Sequence, residues 1–317
     1  MALRGGIDLG GTKIEAVVVD EDSAVRGSAR RETPRTGGPQ DVVRELAVAI
    51  SEAAEAAEVF PEELVGVGVG SPGEVDRRAG TVARAGNLPG WRGSFPVADE
   101  LGQKLGTRVR VGNDVRVAVE AERVLGAGRR YRSFLGVWWG TGIGGAVVID
   151  RKLWLGLGSA GELGHIVVRL GGAPCPCGRF GCLEAYAGRG SMERRARRAQ
   201  EKGAKTVLFD LMQKNKRDRL TSGVWAAAIE RDDELAIRLV ERAISALGAG
   251  IGSALNLLDL DAVVVGGGLG TRFGDDGARR ISDAMIPHLF VDDRPPPVVV
   301  SELGDSGGAL GAALLVA

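Results

Sequence analysis

A pattern that occurs twice limits the fold of this chain most: a β-strand, a short turn of glycine and threonine, and a second β-strand. The first copy spans residues 7–20 with its turn at 10–13, and the second spans residues 134–149 with its turn at 140–145. Such turns let backbone N–H groups approach phosphate oxygens, and the threonine hydroxyl adds a further donor. Two copies predict a duplicated α/β fold whose halves hold a nucleotide between them.

The other segments are assigned from their hydrophobic period, which is close to 3.6 residues in helices and 2 in strands. Helices are expected at 41–58, directly after 113–114, and at 191–205, 232–258 and 307–316. Strands are expected at 24–31, 64–70, 108–111, 261–265 and 298–301. The strand at 261–265 ends in a third glycine turn at 266–270, which favours either a nucleotide contact or a simple tight loop.

Length and charge restrict the class of protein. A chain of 317 residues exceeds what one core usually supports, so two domains are expected. Lys+Arg and Asp+Glu each total 41, which leaves no net charge to attract nucleic acid or an anionic membrane.

The chain shows no apolar signal segment and no apolar run of about 18 residues. We therefore expect a cytoplasmic protein whose partners are small molecules or further subunits, with no nucleic acid and no membrane. The Arg-rich helix at 191–205 is interpreted as a solvated surface.

All three cysteines and one of the two histidines fall within residues 165–182, called the zinc segment below. Three thiolates and one imidazole make a complete tetrahedral set for zinc, and a closed set of four ligands is typical of a structural site. The alternative is that the cysteines are small buried apolar residues. Their clustering favours the metal, although the C-x-C-x4-C spacing is not that of a zinc finger. Two acids, Glu162 and Glu184, flank this segment.

Asn113 and Asp114 follow a predicted strand and begin a predicted helix, which is the position where ligands bind in open α/β sheets. A carboxylate there faces the positive end of the helix. The alternative is that one of the two residues only caps the helix. Asn87 lies in a loop at 85–91 that contains glycine and proline. On this stretch alone, the loop is either a plain surface loop or one whose amide side chain contacts a ligand.

Taken together, these residues resemble the ROK sugar kinases of the actin/hexokinase/Hsp70 superfamily, and the resemblance covers essentially the whole chain. Residues 8–13 look like the first phosphate motif, 140–145 like the second, and 263–270 like the adenosine motif. Residues 71–73 and 87–91 resemble the sugar-side loops, Asn113-Asp114 the catalytic pair, and the Cys/His cluster the zinc signature of that family.

The resemblance implies a duplicated ribonuclease H-like (actin-like ATPase) fold, with a small and a large α/β domain and an active-site cleft between them. The small domain is expected at 1–112 plus 301–317, and the large one at 113–300. The resemblance also implies a homodimer or homotetramer.

The same resemblance implies ATP-dependent phosphorylation of a hexose, most often at the 6-hydroxyl of glucose, with Asp114 as the general base. The implied sugar contacts are Asn87, Asn113, Asp114, Glu162, His165 and Glu184. The implied contacts to ATP and Mg²⁺ are Asp8, Gly10, Gly11, Thr12, Lys13, Thr141, Gly142, Gly267 and Gly268. The implied ligands of a structural Zn²⁺ are His165, Cys175, Cys177 and Cys182.

Two alternatives remain at this level. One is a kinase for another sugar, such as N-acetylmannosamine, mannose, fructose, allose or an amino sugar, because discrimination lies in loop shapes. The other is a sugar-sensing ROK regulator. Such regulators carry an N-terminal winged helix-turn-helix, and the first phosphate strand here starts within a few residues of Met1, so we expect no DNA-binding domain. A polyphosphate donor in place of ATP is also left open.

Overall fold

The computed structural model describes residues 2–317. Within them the strands are β1 Arg4–Leu9, β2 Lys13–Val19, β3 Val25–Glu32, β4 Val67–Ser71, β5 Glu74–Asp76, β6 Thr81–Ala83, β7 Ser94–Phe95, β8 Val109–Asn113, β9 Phe134–Trp139, β10 Ile143–Ile149, β11 Lys152–Trp154, β12 Ala262–Gly266 and β13 Val298–Val300. The helices are α1 Pro39–Ala56, α2 Val97–Leu105, α3 Asp114–Leu125, α4 Glu184–Ala187, α5 Arg189–Glu201, α6 Leu208–Lys214, α7 Ser222–Ile229, α8 Glu234–Leu258, α9 Gly267–Met285 and α10 Gly307–Ala313.

The chain forms two compact units. The first contains the residues up to Gly126 together with Asp305–Ala317, and the second contains Ala127–Gly304. The sheet of the first unit has the order β3-β2-β1-β4-β8, and the sheet of the second has the order β11-β10-β9-β12-β13. In both sheets the first three strands of the unit pair antiparallel, and the next two pair parallel. The predicted duplicated α/β fold is therefore confirmed.

The core of the first unit lies between its sheet and helices from both ends of the sequence. Helix α1 buries Val43, Leu46 and Ile50 against the sheet, as its helical apolar spacing predicts. Helix α10 lies so close to β4 that a Cβ on Gly68 would stand 1.7 Å from the carbonyl oxygen of Ala312. No side chain fits at that contact, so the last helix is an integral part of this core.

The core of the second unit is built around α8, whose buried side chains recur at helical spacing between Leu235 and Leu255. Asp233 caps the start of this helix, because its side chain accepts a hydrogen bond from the Ala236 amide. The helix packs against α4, α5, α7 and α9. None of the helices in residues 2–317 is both long enough and apolar enough to cross a membrane.

Two elements differ from the sequence-based prediction. Residues 266–270 were expected to form a glycine turn, but α9 already begins at Gly267, and a kink at Gly274 interrupts it later. Residues 74–95 contain a small antiparallel sheet of β5, β6 and β7 that was not predicted, whereas residues 85–91, between β6 and β7, are irregular backbone as expected. Strands of two or three residues are too short to show a period, which is why they were missed.

Candidate active site

The first unit places two carboxylates at one edge of its sheet. Strands β1, β4 and β8 are parallel neighbours, so their carboxyl ends meet at the same edge. Asp8 lies near the end of β1, and Asp114 begins α3 directly after β8. Burial, and then the negative charge of Asp114, raise the pKa of Asp8 to about 7, although Lys13 opposes this. A pair of carboxylates offers the oxygen ligands that Mg²⁺ prefers, with several of its waters retained.

Gly308, in the first turn of α10, is what gives Asp8 its room. A Cβ at that position would stand 2.6 Å from the Asp8 carboxyl carbon. Any larger residue would displace the carboxylate. The glycine at 308 is therefore part of the same local arrangement, although it is 300 positions away in the sequence.

Asn113 is the N-cap of α3, and it also holds the Asp114 side chain. Its Oδ1 accepts from the Arg116 amide at 3.2 Å, and its Nδ2 donates to Asp114 Oδ1 at 2.9 Å. The Val115 amide donates to the same Asp114 oxygen at 2.9 Å. Asn113 therefore caps the helix, which was one of the two interpretations above, and it also orients the Asp114 carboxylate.

The first glycine turn is braced from outside by Thr33, whose hydroxyl donates to the Gly10 carbonyl at 2.7 Å. Asn87 also lies against this turn, because a Cβ on Gly11 would stand 3.2 Å from its Nδ2. Among residues 2–317, no group accepts from the amides of Gly11 and Thr12. These two donors are available for an anion.

Lys13 Nζ lies 2.9 Å from Glu15 Oε2 and 2.9 Å from Asp305 Oδ2. Burial alone lowers the pKa of Lys13, but the hydrogen bonds to the two carboxylates outweigh it and raise the pKa above its ordinary value. The charge of Lys13 is already shared between two acids, so its role toward phosphate is weaker than the motif alone indicates.

In the second unit, the second glycine turn is held by Glu184. The Ile143 amide donates to Glu184 Oε2 at 2.9 Å, and a Cβ on Gly142 would stand 2.3 Å from that same oxygen. The absence of a side chain at 142 therefore lets a carboxylate sit beneath the turn. In the sequence, Glu184 lies directly after the zinc segment. In the structure, its side chain also contacts this turn.

Gly267 has a φ of +79°, a conformation that favours glycine, and a Cβ there would stand 2.9 Å from the backbone of Trp139. Trp139 is the last residue of β9, so the start of α9 lies beside the second glycine turn. Gly268 follows in the first turn of α9, and a Cβ there would stand 3.7 Å from Ser222 Oγ. The helical amides that precede the kink at Gly274 begin here, which favours an anionic or polar ligand.

The four predicted zinc ligands come together. Their donor atoms all lie within 4.8 Å of one another. The sulfurs of Cys177 and Cys182 are 3.8 Å apart, and Cys175 Sγ lies 3.9 Å from His165 Nδ1. Two sulfurs bound to tetrahedral zinc at about 2.3 Å lie about 3.8 Å apart. The donor set therefore fits zinc, with Nδ1 of His165 as the ligand atom and Nε2 left for another partner.

Short-range backbone contacts shape the zinc segment. The Cys175 amide donates to the Arg179 carbonyl at 2.8 Å, and Val167 forms an isolated bridge with Cys182. Burial raises the pKa of Cys175 to about 12. The pKa of Cys177 falls to about 6, because hydrogen bonds from Arg179 and the other cysteines outweigh its burial. One thiol thus ionises readily and would start metal binding.

The zinc segment adjoins the second glycine turn. Gly164 lies against Ile143, where a Cβ would stand 2.1 Å from the Ile143 carbonyl oxygen, and the Leu183 amide donates to the Ile166 carbonyl at 2.9 Å. Glu162 directly precedes the short turn Leu163–His165. Within the second unit, the predicted sugar contacts and the second predicted phosphate turn therefore belong to one packed region.

One polar side chain at this turn was not predicted. Arg189 Nη2 donates to Thr141 Oγ1 at 2.7 Å, across 48 positions of sequence. Gly188 and Gly190 flank Arg189 and set it apart from the other arginines of this helix, but the sequence does not indicate that its side chain reaches a turn 48 positions earlier.

The family model of the ROK family matches residues 4–317. The chain belongs to the ROK family. A glucokinase of Thermotoga maritima is 33% identical over 315 residues, which cover 98% of this chain and 96% of that relative. An N-acetylgalactosamine kinase of Shewanella sp. is 33% identical over 319 residues, which cover 98% of this chain and 95% of that relative. The crystal structure of a ROK family glucokinase from Streptomyces griseus, in complex with glucose and AMPPNP, is 32% identical and has a TM-score of 0.84, with 99% of each chain covered.

Proposed function

We propose that this ROK protein is a glucokinase that transfers the γ-phosphoryl group of ATP to the 6-hydroxyl of glucose. The observation that carries the proposal is the Asn113–Asp114 joint. There the side-chain amide of Asn113 and the backbone amide of Val115 fix the Asp114 carboxylate, whose charge acts on Asp8. The glucokinases from Thermotoga maritima and Streptomyces griseus support the choice of glucose, because each matches this chain over nearly its full length.

In the proposed reaction, Asp114 accepts the proton of the sugar hydroxyl as the hydroxyl oxygen attacks the γ-phosphorus and the bond to the ADP oxygen breaks. A sugar hydroxyl is a poor nucleophile near neutral pH, so a base within hydrogen-bond reach is needed. The hydrogen bonds from Asn113 and Val115 fix the direction in which the carboxylate points. Bound Mg²⁺ supplies neutralisation of phosphate charge, and Asp8 holds its hydration shell.

Positioning is assigned to the remaining residues. The amides and hydroxyls of the two glycine turns bind the phosphates through Gly10, Gly11, Thr12, Lys13, Thr141 and Gly142, and the start of α9 binds the adenosine through Gly267 and Gly268. The sugar hydroxyls bind Asn87, Asn113, Glu162, His165 and Glu184. His165 Nδ1 and the three cysteines would hold a structural Zn²⁺, which would fix the tautomer of His165 and leave Nε2–H to donate to a hydroxyl.

The deciding experiment is a panel of sugars assayed with ATP and coupled to the release of ADP. We expect glucose to give the highest kcat/KM, and Asp114→Asn to lower the rate of ADP release by about 10²- to 10⁴-fold. The second candidate is a kinase of N-acetylated hexosamines, which the relationship to the Shewanella N-acetylgalactosamine kinase supports. N-acetylgalactosamine or N-acetylmannosamine as the best substrate would replace the glucose assignment, and no ADP release with any sugar would refute the kinase.

Two further expectations accompany the proposal. Thiols that bind zinc require a reducing compartment, which supports a cytoplasmic enzyme. A homodimer or homotetramer is expected, and light scattering on the purified zinc-loaded protein measures the subunit number.

A further inference from the structure

Arg189 is held against the second glycine turn by three hydrogen bonds. Its own amide donates to the Gly140 carbonyl at 3.1 Å, and the next amide, of Gly190, donates to the Thr141 carbonyl at 3.0 Å. Its guanidinium donates to Thr141 Oγ1 at 2.7 Å. Both neighbours of Arg189 are glycines, which allows this close approach to the turn.

The charge of Arg189 has no partner of opposite sign at ion-pair distance in the part of the chain that the structure describes. The acid whose charge acts on Arg189 is Glu193, which is already bonded to Arg197 Nη2 at 2.6 Å and accepts from the Leu220 amide at 3.0 Å. Burial holds the pKa of Arg189 below its ordinary value. The negative charge of Glu193 raises this pKa, and the positive charge of Arg219 lowers it further. A partly buried cation in this state is stabilised by an incoming anion.

The hydrogen bond to Thr141 also fixes what the threonine hydroxyl can do. A hydroxyl has one donor hydrogen and two acceptor lone pairs. Because Oγ1 accepts from Arg189, its hydrogen is left to donate elsewhere, and the turn faces its ligand with a hydroxyl donor and a guanidinium side by side. Four of the five N–H donors of the guanidinium are not used by Thr141.

We propose that Arg189 is a direct ligand of the phosphate chain of ATP, and that it binds two phosphate oxygens with its guanidinium while Thr141 holds it in place. This inference rests on the proposed function for the identity of the nucleotide. Exposed Arg219 adds further positive charge near Arg189.

The test is Arg189→Gln in the full-length, zinc-loaded protein, with Arg189→Lys beside it. Arg198→Gln is the matched control, because it removes an exposed arginine from the same helix, two turns further along. The Kd for AMPPNP is measured by calorimetry, and the KM values for ATP and glucose by the coupled assay. A charge-assisted hydrogen bond corresponds to about 10- to 100-fold in affinity.

We expect Arg189→Gln to raise the Kd for AMPPNP and the KM for ATP by about 10- to 100-fold, with less than about 2-fold change in the KM for glucose. Arg189→Lys should fall between the wild type and Arg189→Gln, because an ammonium keeps the charge but loses the bidentate geometry. Arg198→Gln should match the wild type.

Two results would overturn the inference. One is an unchanged Kd for AMPPNP in Arg189→Gln. The other is an equal loss of glucose and AMPPNP binding together with a lowered thermal midpoint, which would make Arg189 only a brace for the turn. Calorimetry with AMPPNP needs no sugar turnover, so a wild type that binds AMPPNP but phosphorylates no sugar would refute the proposed function and leave this test intact.

Discussion

Replacing Gly142 with alanine should disconnect Glu184 from the second glycine turn. The added Cβ would stand 3.1 Å from Glu184 Cδ and 2.3 Å from Glu184 Oε2, and real Cβ atoms essentially never approach another atom as closely as 2.3 Å. The backbone at 142 does not have a positive φ, so alanine is not strained in itself. The contact is relieved when the flexible carboxylate swings away.

The magnitude follows from the hydrogen bond that this movement breaks. The amide of buried Ile143 loses the carboxylate that now accepts from it at 2.9 Å. A buried donor left unsatisfied costs about 1–3 kcal/mol. We expect the free energy of unfolding to fall by about that amount. If Glu184 is a sugar ligand, as proposed, the Kd for glucose should also rise by about 10- to 100-fold, because its carboxylate is displaced.

Calorimetry measures glucose binding in the absence of nucleotide, and a thermal melt measures the midpoint of the unligated protein. Gly140→Ala is the matched control, because it changes a glycine of the same turn where a Cβ would meet nothing within 4 Å. Equal behaviour of the two variants in glucose affinity and thermal midpoint would refute this reasoning.

Three other predictions concern the proposed chemistry. Asp114→Asn should lower kcat by about 10²- to 10⁴-fold with a small change in glucose affinity, which steady-state kinetics measure; a kcat near that of the wild type would exclude it as the base. Cys182→Ser should release zinc and raise hydrogen exchange throughout the zinc segment, because one of four ligands is lost; full activity in a protein shown by elemental analysis to be zinc-free would contradict the structural role of the metal. Because the folded state raises the pKa of Asp8 from 3.8 to about 7, the Mg²⁺-free protein should lose stability as pH rises through that window, by about 4 kcal/mol at most. Hydrogen exchange of β1 at pH 5 and pH 8 measures this loss of stability, and Asp8→Asn should abolish it. An unchanged pH dependence in Asp8→Asn would show that Asp8 ionises normally.

The two hairpins and the zinc ligands were predictable because their information is local. β-rich runs on either side of glycine and threonine specify β1–β2 and β9–β10, and the four zinc ligands lie within 18 residues of sequence. The contact between Arg189 and Thr141 was not predictable, because it depends on how α5 packs against a turn formed much earlier in the chain.

The same reasoning explains two further differences. Nothing in the sequence indicates that Gly308 must be small to make room for Asp8, because glycine is common throughout this chain, at 50 residues. The start of α9 at Gly267 was also missed, since a run of glycines favours a turn on propensity alone. Gly267 itself keeps a turn-like φ of +79°, and the helix begins directly from it.

The position of α10 has a consequence for how the protein is made. The first unit contains nearly all of the first 126 residues, yet the face of β1 and β4 that α10 covers stays bare until residues 305–317 have been synthesised. Domains generally fold as units as a chain leaves the ribosome. Residues 127–304 are complete earlier, so the unit that is started first is finished last, and its apolar sheet is the surface that chaperones would need to protect on the nascent chain.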